Sequence, residues 1–97
     1  MTEVHIHLEL VSGKEQELEN IFWKDFVPAV SSRDGFKQVR LLKKRDASNR
    51  YEIDIVFSNE EQRLAWVASA EHDLVWSRIE KLCVRVDVER FDVCGSR

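Results

Sequence analysis

The chain has 97 residues, of which 43% are hydrophobic and 34% charged, with three glycines and one proline. This composition excludes a low-complexity or collagen-like polymer, and the length predicts one compact domain. Fifteen basic and eighteen acidic side chains give a net charge of −3 without a block of like charge, which argues against a nucleic-acid binder. Because no apolar run approaches a membrane span and the start lacks a secretory pattern, we expect a soluble, unprocessed cytoplasmic protein.

The first half of the chain predicts a strand, a helix and a second strand. Apolar and polar residues alternate from Val4 to Leu10, which is the period-2 pattern of a strand with one apolar face. The stretch from Ser12 to Glu15 has capping-box spacing, so a helix should start there and bend or end near Pro28. After the turn signal Asp34-Gly35, the residues from Phe36 to Lys43 have moderate β character.

The second half predicts a hairpin, two short helices and a last strand. A polar loop from Asp46 to Arg50 leads into strict alternation from Tyr51 to Phe57, so the second and third strands should pair antiparallel. Ser58 to Glu61 has capping-box spacing for a short helix, and Ser69 starts a second helix that runs to about Lys81. Alternation from Val84 to Val93 then predicts a long final strand.

The order β, α, β, β, α, α, β predicts the fold class. It is α+β, the ferredoxin-like split βαβ arrangement, with helices on one face of an antiparallel four-stranded sheet. The other face should be partly apolar and partly charged, which favours packing against a second copy, a homodimer. The residues expected there are Val11, Val56, Cys83, Phe91 and Val93, mixed with His5, His7, Arg85 and Asp87.

Metal and thiol chemistry find little support in the sequence. His5 and His7 point the same way from one strand, with Glu9 as a conceivable third ligand. Alternating polar residues that face solvent or a polar subunit interface explain the same pattern, so we expect no metal. Cys83 and Cys94 lack the spacing of a zinc site or a redox pair and are predicted to be free thiols.

Three tryptophans, Trp23, Trp66 and Trp76, all fall in predicted helices. Trp66 and Trp76 span the junction of the two short helices, where indole rings could wall a pocket for a flat ligand. Packing at the helix junction and at a subunit contact is the alternative. No nucleophile elbow, glycine-rich phosphate loop or zinc-protease motif is present, which argues against a hydrolase, a kinase or a dinucleotide-dependent dehydrogenase.

His72 is the histidine with the most suggestive position. It falls in the first turn of a predicted helix, where the helix dipole disfavours the charged imidazole and favours the neutral one. A neutral imidazole can accept a proton from a substrate. Alternatively, His72 simply hydrogen-bonds to a neighbouring carboxylate, Glu71 or Asp73.

Several motifs along the chain carry a family resemblance. They are Ser12-Gly13-Lys14-Glu15 after the first strand, Asp34-Gly35-Phe36 before the second, Phe57-Ser58-Asn59-Glu60-Glu61 into a helix, and Ala65-Trp66 followed by Ser69, Glu71, His72, Trp76 and Ile79. In this order and spacing they resemble the antibiotic biosynthesis monooxygenase domain, over residues 4–93 of a single domain spanning 1–97. The resemblance implies a dimeric α/β barrel, with a pocket between sheet and helices in each subunit.

The resemblance also bears on cofactors. Heme-degrading members carry a histidine iron ligand where this chain has Trp76, and an asparagine near the position of Ile6. Members that oxidise polyketide quinols carry an asparagine and a tryptophan on the third strand, where this chain has Ile53 and Phe57. Heme is therefore disfavoured, and no cofactor is expected.

The resemblance and the aromatic cluster together predict a cofactor-independent monooxygenase that acts on a small phenol-like or quinol-like aromatic molecule. His72 is the candidate base and His7 a weaker one. Trp66, Trp76, Phe22 and Phe57 are the candidate substrate-binding residues. Two alternatives remain open: a non-catalytic dimer of the same fold that binds a small molecule or heme, and a structural or regulatory dimer.

Overall fold

The computed structural model describes all 97 residues and confirms the predicted order of elements. A π-helical stretch, Phe22–Phe26, joins the first two helices. The regular elements are β1 (Thr2–Leu10), α1 (Glu15–Ile21), α2 (Val27–Ser31), β2 (Phe36–Lys43), β3 (Arg50–Phe57), α3 (Glu60–Val67), α4 (Ala70–Glu80) and β4 (Cys83–Asp92). None of the helices is long and apolar enough to cross a membrane.

The four strands form one antiparallel sheet in the order β2-β3-β1-β4, which confirms the α+β ferredoxin-like fold. Ile6 of β1 lies opposite Ile53 of β3 and Val88 of β4. Because side chains alternate between the faces of a strand, this register directs the apolar rows of β1 and β3 toward the helices. The buried members of these rows are Val4, Leu8, Leu10, Tyr51, Ile53, Ile55 and Phe57.

All the helices cover one face of the sheet and complete a single core. Their apolar residues recur at spacings of three and four, so each helix buries one stripe against the sheet. The buried helical residues are Leu18, Ile21, Phe22, Phe26, Val30, Trp66, Val75 and Ile79.

The predicted cap of α1 is wrong by two residues. The N-cap is Lys14, without a side-chain hydrogen bond, and Ser12 lies in the turn before it. Gly13 takes φ +91° in this turn, and the Lys14 N–H donates to the Val11 carbonyl at 3.2 Å. Because a glycine accepts a positive φ without strain, the chain completes this turn before the helix begins.

The helical chain continues past Pro28, where the sequence predicted a bend or an end. The proline lies in the first turn of α2, which runs on to Ser31. Immediately before it, the Val27 N–H donates to the Phe22 carbonyl, five residues back. This widened turn gives the pyrrolidine ring room beside the preceding carbonyls, so the helical path continues past the proline.

The caps of the two later helices follow the predicted chemistry. Asn59, one residue after the predicted Ser58, caps α3 by accepting from the Gln62 N–H at 2.8 Å. Ser69 caps α4 as predicted, and its hydroxyl accepts from the His72 N–H at 3.1 Å. The Ser69 cap fixes the first turn of α4, which carries His72.

Replacing Ser69 by alanine is expected to lower the free energy of unfolding by about 1 kcal/mol, because the capping acceptor is lost. Ser12→Ala is the matched control, since Ser12 is exposed and caps no helix. Urea unfolding of the two variants beside the wild type measures the difference. Equal losses in the two variants would contradict the assignment of the caps.

The face of the sheet away from the helices, here called the open face, is more charged than predicted. Its apolar members are Leu42, Val56 and Phe91, and its polar members are Glu3, His5, His7, Glu9, Gln38, Arg40, Arg50, Glu52, Asp54, Arg85, Asp87 and Glu89. Cys83 is not on this face, because a bulge between Glu9 and Leu10 shifts the register of β4. Its thiol instead lies 3.4 Å from the Ile79 carbonyl, and burial raises its pKa to about 11.

Candidate functional site

An aromatic stack forms where α3 meets α4. Trp66 lies in the last turn of α3, and its indole meets the His72 ring edge-on at 5.1 Å between centroids. Trp76 follows His72 by one helical turn, and the two rings stack at 6.4 Å with an interplanar angle of 21°. The i, i+4 spacing on α4 places Trp76 beside His72, and the junction of α3 with α4 places Trp66 against the same imidazole.

The stack continues into the core. Trp66 is buried and meets Phe26 edge-on at 5.9 Å, and Phe26 stacks on Phe22 at 5.9 Å. Phe22, Phe26, Trp66, His72 and Trp76 thus form one continuous row of aromatic rings. The row runs from the centre of the helical layer to its surface.

His72 keeps limited contact with solvent at the outer end of this row, with 19% of its side chain exposed. Its Nδ1 lies 3.4 Å from the Asp73 carboxylate, and no contact joins it to Glu71, which faces Arg33. A contact of this length constrains the ring weakly. The geometry leaves an imidazole beside aromatic surface, an arrangement suited to taking a proton from a bound aromatic hydroxyl.

Two of the predicted site residues lie apart from the aromatic row. Phe57 is buried on β3 and packs edge-on against Phe36 at 6.2 Å. His7 lies on the open face, where Nε2 is 2.8 Å from Glu89 and Nδ1 is 3.1 Å from Glu52. The structure therefore brings together Phe22, Trp66, His72 and Trp76, and places His7 on the other side of the sheet.

Two surface cavities lie elsewhere. A groove of about 560 Å³ at one end of the sheet includes His7, Arg50, Tyr51 and Arg85 in its lining. A second cavity of about 470 Å³ lies between α3 and the loop that contains Arg33. Neither cavity is lined by the aromatic row.

A cluster that the sequence did not reveal lies on the open face. Donor atoms of His5, Glu52 and Asp54 all fall within 4.8 Å of one another. The sequence pattern offers Glu9 as a third ligand beside His5 and His7, but Glu9 instead forms an ion pair with Arg50 at 3.2 Å. The signal that could have found the cluster is the alternation of acids on β3, read together with the β1–β3 register.

The charges of this cluster shift its pKa values. Burial, together with the neighbouring Glu52 carboxylate, raises the pKa of Asp54 to about 6, although His5 and Arg40 act in the opposite direction. Partial burial of His5 opposes its charged form, but the hydrogen bond to Glu3 and the nearby carboxylates outweigh it and raise its pKa. Protons are therefore held in the cluster more tightly than on isolated side chains.

The fold and its row of aromatic rings define a small ferredoxin-like domain with an imidazole at a helix junction. The family model for antibiotic biosynthesis monooxygenase matches residues 1–74. The chain belongs to the antibiotic biosynthesis monooxygenase family, which confirms the resemblance inferred from the motifs. A comparison with curated proteins found no significant match.

Solved structures agree on the fold. A Nitrosomonas europaea protein named provisionally as an antibiotic biosynthesis monooxygenase superposes with a TM-score of 0.86 at 8% identity, covering 98% of this chain and 100% of its own. SnoaB, a cofactor-independent oxygenase from Streptomyces nogalater, gives 0.84 at 18% identity, covering 98% and 95%. A Deinococcus radiodurans protein with the same provisional name as the first gives 0.88 at 11% identity, covering 100% and 96%. At these identities the likeness establishes the fold.

Proposed function

We propose that the chain is a cofactor-independent monooxygenase that acts on a small, electron-rich phenol or quinol. The observation that carries the proposal is the imidazole of His72, held between Trp66 and Trp76 at 5.1 and 6.4 Å. Family membership supports oxygenase chemistry, and SnoaB, a cofactor-independent oxygenase, shares the fold.

The reaction balances without an added reductant. His72 takes the hydroxyl proton, and the electron-rich phenolate then reduces O₂ directly. One oxygen atom forms a new C–O bond on the ring, which becomes a quinone, and the other leaves as water with the two hydrogens that the phenol loses. The substrate supplies all the electrons, so the step requires no flavin, heme or metal as a source of electrons.

The aromatic row supplies the surroundings for this step. A flat substrate lies against the half-buried indole of Trp76, where aromatic stacking holds it beside the imidazole. Trp66 and Phe22 form the buried wall behind His72 and exclude water from that side. Phe57 belongs to the same buried core but packs against Phe36, so it does not contact the substrate in this proposal.

Oxygen uptake tests the proposal. We expect the purified protein to consume O₂ with a member of a panel of hydroquinones and simple phenols, and His72→Ala to lower the rate by about 100-fold, the usual contribution of a positioned base. Trp76→Ala should raise KM, because the stacking surface is lost. Trp23→Ala is the matched control, since this tryptophan is 66% exposed and touches neither His72 nor Trp76.

Two outcomes would contradict the proposal. One is the absence of uptake above the buffer rate with every compound in the panel. The other is an equal rate in His72→Ala and the wild type, which would remove this histidine from the mechanism. If only His7→Ala lowers the rate of oxygen uptake, the base is His7 on the open face.

A second candidate function is a non-catalytic dimer of the same fold, which either binds a small molecule or heme without turnover or has a structural or regulatory role. It is favoured by the tight packing of Trp66, Phe22 and Phe57, each at most 2% exposed. In that case a phenol titration quenches tryptophan fluorescence without product, or leaves it unchanged.

We also propose that the chain acts as a homodimer in the cytoplasm. The edge strand β4 exposes Val84, Val88 and Phe91, apolar surface that a second copy can cover. Both cysteines are free thiols, as suits a reducing compartment. Sedimentation velocity of the same preparations measures the assembly, and a monomer at micromolar concentration would contradict the dimer.

A further inference from the structure

We propose that the open face carries a binding site for a divalent transition-metal ion such as Zn²⁺, with His5, Glu52 and Asp54 as its ligands. This site lies across the sheet from His72, so it is independent of the proposed oxygenase function.

The three ligand residues already lie close together in the structure. His5 Nδ1, the ring nitrogen that does not bind Glu3, lies 3.8 Å from Glu52 Oε2, and one donor atom from each of the three residues lies within 4.8 Å of the others. Ligand atoms about 2.1 Å from a zinc ion stand roughly 3 to 3.5 Å apart in tetrahedral geometry. Small side-chain rotations therefore close the cluster around an ion, without movement of the strands.

Asp54 provides an independent indication that a cation fits here. The residue is only 4% exposed, and its Oδ1 has no hydrogen-bond partner and lies 4.0 Å from His5 Nε2. Its other oxygen, Oδ2, accepts from Arg40 at 3.2 Å. A buried carboxylate oxygen without a partner is costly, and this one faces His5, where a metal ion would satisfy it.

The surrounding side chains favour a cation and orient its ligands. Glu3 binds His5 Nε2 at 2.5 Å, a carboxylate–histidine contact that fixes the ring and leaves the other nitrogen for a metal. His7 holds Glu52 through Nδ1 at 3.1 Å, which makes His7 a positioning residue here. The cluster contains the carboxylates of Glu3, Glu52 and Asp54. Arg40 is the one arginine or lysine that forms an ion pair with them, so negative charge is in excess.

The donor set selects the class of ion. One imidazole and two carboxylates suit Zn²⁺, Mn²⁺, Fe²⁺ or Co²⁺, whereas Mg²⁺ and Ca²⁺ prefer all-oxygen surroundings. Three protein ligands leave a fourth position for water in tetrahedral geometry.

Calorimetric titration of the full chain, freed of metal with a chelator, tests the site. We expect Zn²⁺ to bind once per chain, and Asp54→Asn and His5→Ala to weaken binding by more than 100-fold. His7→Ala should weaken it by about 10-fold, the usual effect of losing a group that orients a ligand. Asp46→Asn, which removes the same charge from an exposed loop, should leave it unchanged.

Cobalt provides a readout that a structural defect would not mimic. Bound Co²⁺ should give visible d–d bands of nitrogen and oxygen coordination, and these bands should be absent from Asp54→Asn. Circular dichroism confirms that each variant is folded, and Glu52→Gln tests the third ligand in the same way.

Three results would overturn the site. They are no saturable Zn²⁺ binding to the wild type, equal affinity in Asp54→Asn and Asp46→Asn, and a Co²⁺–thiolate charge-transfer band. The last would assign the ion to Cys83 or Cys94 instead. Oxygen uptake does not depend on any of them, so the metal site and the proposed oxygenase can fail separately.

Discussion

Phe26→Ala is expected to lower the free energy of unfolding by about 3 to 5 kcal/mol, which is a large fraction of the stability of a domain of this size. The side chain is 1% exposed and joins two halves of the aromatic row, with Phe22 stacked on one side and Trp66 edge-on to it. Truncation removes these contacts and leaves a cavity that the sheet beneath cannot close. Urea unfolding followed by circular dichroism measures the loss.

The neighbouring Trp23→Ala serves as the control. Trp23 is on the same π turn but is 66% exposed, so its loss should cost less than about 1 kcal/mol. If Phe26→Ala does not fold, Phe26→Leu keeps the comparison measurable, because it removes less volume. Losses of similar size at the two positions would mean that the aromatic row is not part of a rigid core.

Asp54→Asn is expected to stabilise the metal-free protein at neutral pH, by about 3 kcal/mol at most. The pKa of Asp54 rises from 3.8 to about 6 on folding, so the folded state binds its proton more tightly than the unfolded state does. Stability attributable to this proton is complete below pH 4 and is lost as the pH rises through 6. The uncharged amide does not titrate, so the variant escapes that loss.

The raised pKa of His5 acts in the same direction. Its charge stabilises the folded state below pH 6.5, and this contribution is lost as the pH rises through its folded pKa. Urea unfolding in chelator, at a series of pH values, should show the difference between Asp54→Asn and wild type growing from about pH 4 to above 6. Asp46→Asn is the matched control, and a pH-independent difference for Asp54→Asn would contradict the shift.

The higher stability of Asp54→Asn also excludes unfolding as an explanation for a loss of Zn²⁺ binding. A variant that is more stable than the wild type without metal cannot lose Zn²⁺ affinity through unfolding. The zinc ion would instead stabilise only the wild type, by replacing the proton that Asp54 releases at neutral pH.

The strands could be predicted because alternating apolar and polar residues within each strand indicate one buried face and one exposed face. The alternation from Tyr51 to Phe57 survives in the fold, since one face is buried and a slip of one residue would expose it. The start of α1 could not be predicted as well, because a capping-box spacing at Ser12 competes with the turn that Gly13 makes. Likewise, the residues next to Pro28 carry no pattern that predicts the π turn before it.

The two candidate sites also differ in how far local sequence patterns predict them. The contact of His72 with Trp76 follows from helical spacing, and its contact with Trp66 from the junction that Ser69 caps. The grouping of His5 with Glu52 and Asp54 depends on the register of strands more than forty residues apart in sequence, which local periodicity does not encode. Cys83 was misplaced for the related reason that a bulge shifts the register of one strand.

The wide turn from Phe22 to Phe26 amounts to one extra residue inserted into an otherwise ordinary helix. Such an insertion is absorbed locally, so Ile21 before it and Val30 after it both still face the sheet. Deleting one exposed residue, such as Lys24, would restore the normal helical pitch. The segments before and after it would still direct Ile21 and Val30 toward the sheet. Length differences among relatives of this fold should therefore concentrate at this point, where the chain can shorten by one residue and keep its interior.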